Sequence, residues 1–301
     1  MGRHTVDTAA SLRARGRAGL VSVRTRIARR YIAGEGLADA VRVADELATS
    51  GVSATFGFWD GPADTPGTVA SEYRMAFDVA TVRPGDYISI KLPGLGFSPE
   101  LFDECVSRAG AAGCRVHLDS LDPGSADRTL AMAGQARATR PDVEVGYTVA
   151  ARWRRAVGDA HRACELGLPV RVVKGQWPDP GGDEGDLRLG YLRVIDALAG
   201  RARHVAVATH DVELMTEAVR RLRAAGTPCG VELLYGMPIR HSRRDAQRQG
   251  LDVRLYLPYG KAYLPYAVAH LRKQPRMVGW IARDLVASAV GSVVRAGREQ
   301  R

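Results

Sequence analysis

The feature that most restricts the fold of this chain is a regular alternation of short apolar runs with helix-like segments. Beginning at Val52–Trp59, about eight runs of β-type residues are each followed by a segment whose apolar residues have helical spacing. Strands that alternate with helices pair in parallel, because each helix carries the chain back to the starting edge of the sheet. Eight such units predict a closed α/β barrel of the (β/α)8, TIM-like type, and a doubly wound open sheet is the alternative.

Two common nucleotide-binding motifs are absent from the chain. No GxGxxG follows the first predicted strand, and no GxxxxGK[ST] occurs anywhere in the sequence. The open-sheet alternative, with a classical nucleotide-binding crevice, therefore has no support from motifs.

The sequence predicts one main domain with short extensions. Residues 1–30 read as a basic, helix-prone lead-in, residues 31–296 as a single barrel domain, and residues 297–301 as a polar tail. Extra helices are expected before the first strand, at Leu37–Gly51, and after the barrel, from residue 276 to about 296. The chain has 301 residues, which is enough for a barrel of about 250 residues.

The net charge and the cysteine content indicate which partners and which kinds of site to expect. The net charge is +10, but the arginines concentrate in Arg13–Arg30 and in the tail, without interleaved aromatic residues. We therefore expect no nucleic-acid partner and a basic surface that favours an anionic cofactor or substrate. The four cysteines are scattered without a CxxC pair, which predicts neither a disulfide framework nor a metal site.

Hydropathy predicts a cytoplasmic protein. No window approaches the length of a transmembrane helix, and the first 20 residues lack the apolar region of a secretory signal. Peripheral contact with the inner face of the membrane is kept as an alternative.

Polar residues stand at the ends of six predicted strands. They are Lys91, Asp119, Arg171 with Lys174, Thr209 with His210, Glu232 with Tyr235, and Tyr256. In a barrel the carboxyl ends of the strands meet on one face, and that face holds the active site. The sequence therefore predicts an active site built from these residues.

The residue types leave two kinds of chemistry open. A lysine at a strand end is able to form a Schiff base in a lyase. Alternatively, Arg171 and Lys174 face an electron-rich ring and its pyrophosphate, with phosphate bound where Thr209-His210-Asp211 opens a helix. Composition and spacing do not choose between a lyase and a redox enzyme.

Six short motifs, taken in order, resemble the proline dehydrogenase family over roughly residues 30–275. They are SIKLPGLG, VHLDSLD, VRVVKGQW (similar to RLVKGAYW), VAVATHD, VELLYGM (similar to QMLYGM), and RLYLPYG with the YLPY that follows it. The resemblance implies a (β/α)8 barrel with FAD as cofactor. It also implies oxidation of an amine C–N bond by hydride transfer to flavin N5, with a quinone or oxygen as electron acceptor.

The resemblance implies a role for individual residues. Lys91 takes the place of the active-site lysine, Asp119 of the aspartate that pairs with it, and Arg171 of the arginine near flavin N5. The implied cofactor-binding residues are Arg171, Lys174, Gly175, Thr209, His210 and Glu232. The implied substrate-binding residues are Trp177, Leu234, Tyr256, Tyr266, Ala269 and His270.

One departure from the family pattern changes the expected substrate. Two arginines follow YLPY in the family and hold the carboxylate of proline, whereas Ala269 and His270 stand there in this chain. Alanine offers no contact to a carboxylate, and histidine replaces a guanidinium only when it is protonated. We therefore expect oxidation of a C–N or N–N bond in a proline-like or modified amine, rather than in ordinary L-proline.

Three alternatives to this prediction remain. The first is a plain proline dehydrogenase that produces pyrroline-5-carboxylate, with Arg272 and His270 holding the carboxylate. The second is a barrel that binds flavin or another ligand without catalysis. The third is a Schiff-base lyase that uses Lys91.

Overall fold

The computed structural model describes residues 33–80, 83–237 and 239–262. Within these ranges eight parallel strands close into a barrel in chain order, and the last strand pairs with the first. The prediction of a (β/α)8 barrel is confirmed, and the open-sheet alternative is wrong.

The strands are β1 (Ser53–Phe58), β2 (Tyr87–Ile90), β3 (Arg115–Leu118), β4 (Val145–Ala150), β5 (Val170–Val173), β6 (Val205–Ala208), β7 (Cys229–Leu234) and β8 (Val253–Tyr259). The helices in the described ranges are α1 (Leu37–Ala48), α2 (Pro66–Ala80), α3 (Pro99–Ala111), α4 (Pro123–Thr139), α5 (Ala156–Glu165), α6 (Leu187–Leu198), α7 (Val212–Ala224) and α8 (Arg240–Arg248). The predicted helix over Tyr263–Lys273, the helix after residue 276, the lead-in and the tail lie outside the described residues. The division into 1–30, 31–296 and 297–301 stays a prediction.

Side-chain caps fix the starts of several helices. Ser98 Oγ accepts a hydrogen bond from the Leu101 N–H at 3.2 Å, and Pro99 occupies the first turn of α3, as the sequence predicted. Asp122, Asp186 and Asp211 cap α4, α6 and α7 in the same way. Each cap satisfies backbone donors that the helix leaves unpaired, so the turn from strand to helix is defined locally.

Helix α1 closes the outer layer of the barrel. It precedes β1 in the chain but contacts both β1 and β8, at the seam where the sheet meets itself. Its buried face consists of Ala40, Val43 and Ala44. The seam is therefore covered by a helix that comes before the barrel in the chain.

The apolar core lies between the barrel and its helices. Side chains alternate between the two faces of a strand, and the outward-facing residues such as Phe56, Ile88, Val172, Val207 and Leu255 are completely or almost completely buried. Burial of these side chains against the helices supplies most of the driving force for folding.

The barrel interior, in contrast, is lined mainly by polar or very small residues. Its inward-facing positions include Thr55, Gly57, Tyr87, Ser89, His117, Asp119, Gly146, Thr148, Arg171, Ala206, Gly230, Glu232, Arg254 and Tyr256. Hydrogen bonds across the barrel confirm this orientation, since the hydroxyl of Tyr87 on β2 donates to Glu232 on β7 at 2.6 Å. TIM barrels usually fill this space with branched apolar side chains. Here a cavity of about 460 Å³ opens at the amino ends of the strands.

No helix in the described ranges has the length and apolar character that crossing a membrane requires.

This layout predicts opposite tolerances on the two faces of the barrel. Leu255→Ala, on the outward face, is expected to lower the free energy of unfolding by about 2–5 kcal/mol because it empties a packed site. Ala206→Ser, on the partly exposed inward face, is expected to cost less than about 1 kcal/mol. Urea denaturation of both variants measures the difference, and equal losses would contradict the assignment of the core to the outer layer.

Candidate active site

Lys91 lies directly after β2 and is held from several sides. Its backbone N–H donates to the Tyr73 hydroxyl at 2.9 Å, and its Nζ donates to the Phe58 carbonyl at 2.7 Å and to the Tyr256 hydroxyl at 3.0 Å. Nζ also lies 3.3 Å from Asp119 Oδ2 and 4.9 Å from the centroid of the Trp59 ring. The side chain is 2% exposed, so its ammonium group is positioned almost entirely by protein atoms.

Burial sets the acid–base character of Lys91. Removal from water lowers the pKa of the ammonium below its usual value, and the Asp119 carboxylate opposes only part of this effect. The three partners of Nζ are all acceptors, which suits an ammonium and leaves no lone pair directed at a carbonyl substrate. This geometry disfavours the lyase alternative.

Asp119 follows β3 and collects four donors. Its Oδ1 accepts from Ser89 Oγ at 2.8 Å and from Arg171 Nη2, and its Oδ2 accepts from the Tyr256 hydroxyl at 2.8 Å and pairs with Lys91. Burial alone would raise the pKa of this carboxyl, but Arg171 and Lys91 outweigh burial and lower the pKa to about 2. Asp119 is therefore ionised at any physiological pH.

Tyr256 occupies the centre of the cluster. Its hydroxyl accepts from Lys91 and donates to Asp119, while the Arg171 guanidinium lies 5.2 Å from the centroid of its ring. Burial and the neighbouring Asp119 raise the pKa of the phenol well above its usual value, so the proton stays on the oxygen. Gly57 on β1 makes room for this ring, because a Cβ atom there would overlap the phenol.

Arg171, in β5, connects the cluster to the middle of the barrel. Its Nη2 donates to Asp119, to Ser89 at 3.2 Å and to Thr148 at 3.0 Å, and its Nε donates to Thr148 at 3.2 Å. Its Nη1 donates to Glu232 Oε1 at 2.7 Å. The guanidinium plane is thus fixed by partners on three other strands and by Asp119 at the end of a fourth.

Glu232 has a different placement from the one the sequence suggested. Its two carboxylate oxygens accept from Arg171 and Tyr87, and it lines the cavity at the amino ends of the strands together with Tyr87. A flavin would lie at the opposite, carboxyl ends. The geometry favours support of Arg171 over the predicted direct contact with the cofactor.

Four other predicted cofactor residues gather at the carboxyl ends of β5 and β6. Lys174 Nζ lies 3.6 Å from the Asp211 carboxylate at the start of α7. Gly175 has a φ of +89°, and a Cβ there would approach Arg152 Cβ to 3.0 Å, so this turn requires glycine. Thr209 Oγ1 accepts from the Asp211 N–H, and His210 Nε2 accepts from the Leu234 N–H, both at 3.2 Å.

The carboxyl ends of β5, β6 and β7 present a small apolar surface, here called the apolar floor. Val173, Ala208 and Leu234 occupy the last inward-facing positions of β5, β6 and β7, and all three are partly exposed. The cationic Lys174 and the first turn of α7 border this floor and suit a phosphate group. A flat ring carrying a diphosphate, as in FAD, fits this combination of surface and charge.

The chain has relatives among known proteins, although no family model matches it. It is 25% identical over 286 residues to a proline dehydrogenase of Deinococcus radiodurans, covering 86% of this chain and 90% of that protein. It is 26% identical over 281 residues to proline dehydrogenase 1 of Bacillus subtilis, with the same coverage. The chain is therefore similar to proline dehydrogenases over most of its length.

Solved structures show the same fold. The structure of proline utilization A (PutA) from Bdellovibrio bacteriovorus has a TM-score of 0.72 at 17% identity, over 81% of this chain and 32% of that one. PutA from Bradyrhizobium japonicum has a TM-score of 0.61 at 19% identity, over 72% of this chain and 28% of that one. The chain therefore spans about a third of the length of these larger proteins.

The structure brings together some of the residues predicted for the active site, and others lie outside the described residues. Lys91, Asp119, Arg171 and Tyr256 form one contact network. Trp177 is 40% exposed and its carbonyl accepts from Trp153 Nε1 at 3.0 Å. Tyr266, Ala269 and His270 lie outside the described residues, so their predicted contacts with substrate stay predictions. No group of three or more His, Cys, Asp or Glu residues with metal-binding geometry occurs in the described ranges.

Sequence reasoning missed the residues that support the cluster. Ser89, Thr148 and Tyr87 contact Arg171 or its two carboxylate partners, and Gly57 makes room for Tyr256. The available signal was the alternation of polar and apolar residues inside the strands, as in Tyr87-Ile88-Ser89-Ile90-Lys91. This period of two marks inward-facing polar positions before the strand ends are reached.

Gly57→Ala tests the packing around Tyr256. The added methyl is expected to displace the phenol from Lys91 and Asp119 and to lower the free energy of unfolding by about 1–3 kcal/mol. Gly158→Ala is the matched control, because a Cβ at that position in α5 meets nothing within 4 Å and the change favours a helix by about 0.5–1 kcal/mol. Equal stability of the two variants in urea denaturation would refute the packing argument.

Asp119→Asn tests the charge balance of the site through pH. The carboxyl has a pKa of about 2 in the folded chain, compared with about 3.9 when unfolded. Its ionised form therefore stabilises the fold fully above about pH 4, and this contribution of about 2 kcal/mol disappears as the pH falls toward 2. The variant lacks it, so the stability gap between the two proteins should narrow between pH 7 and pH 3. A constant gap would contradict the lowered pKa.

Proposed function

We propose that this protein is an FAD-dependent dehydrogenase that oxidises the C–N bond of a proline-like amine. The observation that carries the proposal is the buried cluster of Lys91, Asp119, Tyr256 and Arg171, which lies opposite the apolar floor at the carboxyl ends of the strands. In this proposal the amine and a flat redox cofactor bind between these two walls. Oxidation of the N–N bond in a hydrazine-type compound is a variant of the same reaction.

The residues at the strand ends fit FAD. Arg171, Lys174, Gly175, Thr209 and His210 would hold it, with Lys174 and the start of α7 facing the diphosphate. Bound FAD supplies a two-electron acceptor for the hydride that leaves the carbon next to nitrogen. The chain's own part is to bind the amine in the neutral form and to orient its C–H bond.

Asp119 and its neighbours are suited to orient the nitrogen. The carboxylate is ionised because its pKa is about 2, so it places a fixed negative charge beside the amine nitrogen. The Tyr256 phenol keeps its proton, since burial raises its pKa, and its ring forms an apolar wall beside the substrate. Lys91 balances the carboxylate and is shielded from water, so the charges at the site act in a low-dielectric environment.

We further propose that the preferred substrate is not ordinary L-proline. The support is in the sequence, where Ala269 and His270 replace the two arginines that hold the carboxylate in the family pattern. A modified amino acid or a larger cyclic amine fits this change. A quinone or oxygen as electron acceptor, and a cytoplasmic location with peripheral contact at the inner membrane face, stay predictions.

A plain proline dehydrogenase is the second candidate. The support is the similarity to proline dehydrogenases over 86% of the chain. In this alternative His270 and Arg272 replace the missing arginine pair at the carboxylate. A barrel without catalysis is less well supported, because a buried ion cluster is costly to maintain where it serves no chemistry.

A spectrum and a substrate panel test these candidates. The purified protein is expected to show an oxidised-flavin absorbance that bleaches without oxygen when the right amine is added. Cyclic amines without a carboxylate, modified prolines and L-proline form the panel. Rapid bleaching by L-proline at micromolar KM would establish the second candidate, and a protein without flavin would refute both.

The double variant Ala269→Arg with His270→Arg measures the carboxylate clamp directly. If its loss defines the specificity, restoring it should raise kcat/KM for L-proline by at least about tenfold. The rate with a cyclic amine that lacks a carboxylate serves as the internal control and is expected to change little. No gain with L-proline would show that the missing arginines do not determine the substrate.

A further inference from the structure

Glu232 is a buried carboxylate that the proposed reaction does not use. It is 3% exposed and lies in β7 with its side chain directed into the barrel. Its Oε1 accepts from Arg171 Nη1 at 2.7 Å and its Oε2 from the Tyr87 hydroxyl at 2.6 Å. Both donors come from across the barrel, so the carboxylate joins β7 to β5 and β2.

The position of Glu232 completes the orientation of Arg171. The guanidinium donates from Nη2 to Asp119, from Nε to Thr148 and from Nη1 to Glu232. A planar fork with partners on all three nitrogens has no freedom to rotate about its last torsion angles. Without Glu232, Nη1 would face the cavity at the amino ends of the strands.

Glu232 also changes the charge of the site. Lys91 and Arg171 carry two positive charges, and Asp119 alone balances one of them. Glu232 supplies the second negative charge, so the four buried groups cancel. His117, which also points into the interior, stays neutral because burial and Arg171 lower its pKa well below the usual value.

We propose that Glu232 is a positioning residue that fixes Arg171 from the amino-terminal side and removes the net positive charge from the cofactor site. This inference rests on the proposed function, because it concerns the group that Arg171 faces. A ring that gains electrons next to Arg171 is stabilised by net positive charge. Glu232 therefore holds the reduction potential of the bound flavin below the value that Lys91, Asp119 and Arg171 alone would give.

The test compares three variants of the flavin-loaded protein. Glu232→Gln keeps the size of the side chain and removes its charge, Glu232→Asp keeps the charge on a shorter side chain, and Tyr87→Phe keeps Glu232 while removing one of its donors. The readouts are the midpoint potential of the flavin, the melting temperature, and kcat and KM separately.

Glu232→Gln is expected to raise the midpoint potential and to lower kcat by about tenfold through loss of alignment of Arg171, with a change in KM of less than about threefold. Glu232→Asp is expected to keep the potential near that of the unmodified protein. Tyr87→Phe is expected to lower the melting temperature while leaving the potential unchanged.

Two results would overturn the inference while leaving the proposed function intact. One is a flavin potential that does not move in Glu232→Gln. The other is an equal shift in Tyr87→Phe, which would reduce Glu232 to a packing element. Absence of bound flavin in the unmodified protein would instead refute the proposed function.

Discussion

A buried guanidinium held between two carboxylates is the interaction on which the rest of this structure depends. Arg171 on β5 donates hydrogen bonds to Ser89 on β2, Asp119 after β3, Thr148 on β4 and Glu232 on β7. A charge buried without partners costs several kcal/mol. Strands so far apart in the chain meet around one side chain only when the barrel closes. Closure of the barrel and assembly of the site are therefore the same event.

The distribution of apolar residues offsets the free-energy cost of burying these charged groups. The packed core lies outside the barrel, where residues such as Phe56, Val207 and Leu255 are covered by helices. The interior is thus free to carry charged groups, small residues and a cavity at its amino end. A conventional barrel fills the interior with branched apolar side chains. Here the charged residues of the candidate site occupy that space, and packing between the strands and the helices stabilises the fold.

The sequence predicted the site residues at the strand ends better than the supporting residues deeper in the barrel. Lys91, Asp119 and Arg171 interrupt or follow apolar runs, so their place on the carboxyl face follows from the parallel topology. The pairing of Tyr87 with Glu232, 145 positions apart, depends on which strands face each other across the closed barrel. Alternation shows that both residues point inward, but it does not show at what height they meet. That height depends on the stagger of the strands, and local sequence does not encode it. For the same reason Glu232 resembled a cofactor contact in sequence and supports Arg171 in the structure.

Two departures from the family pattern bear on the proposed substrate in the same way. The arginine pair is replaced by Ala269 and His270, and VELLYGM carries Glu232 where the family motif QMLYGM begins with glutamine. The first removes the positive charges proposed to bind a carboxylate, and the second adds a negative charge beside Arg171. A cluster of four charges that cancel exerts little net attraction on an anionic group. Recognition of a carboxylate would then depend on His270 and Arg272 alone, a weaker clamp than two guanidinium groups. The charge balance around Arg171 and the sequence after β8 are therefore two separate features on which the proposal of a substrate other than L-proline rests.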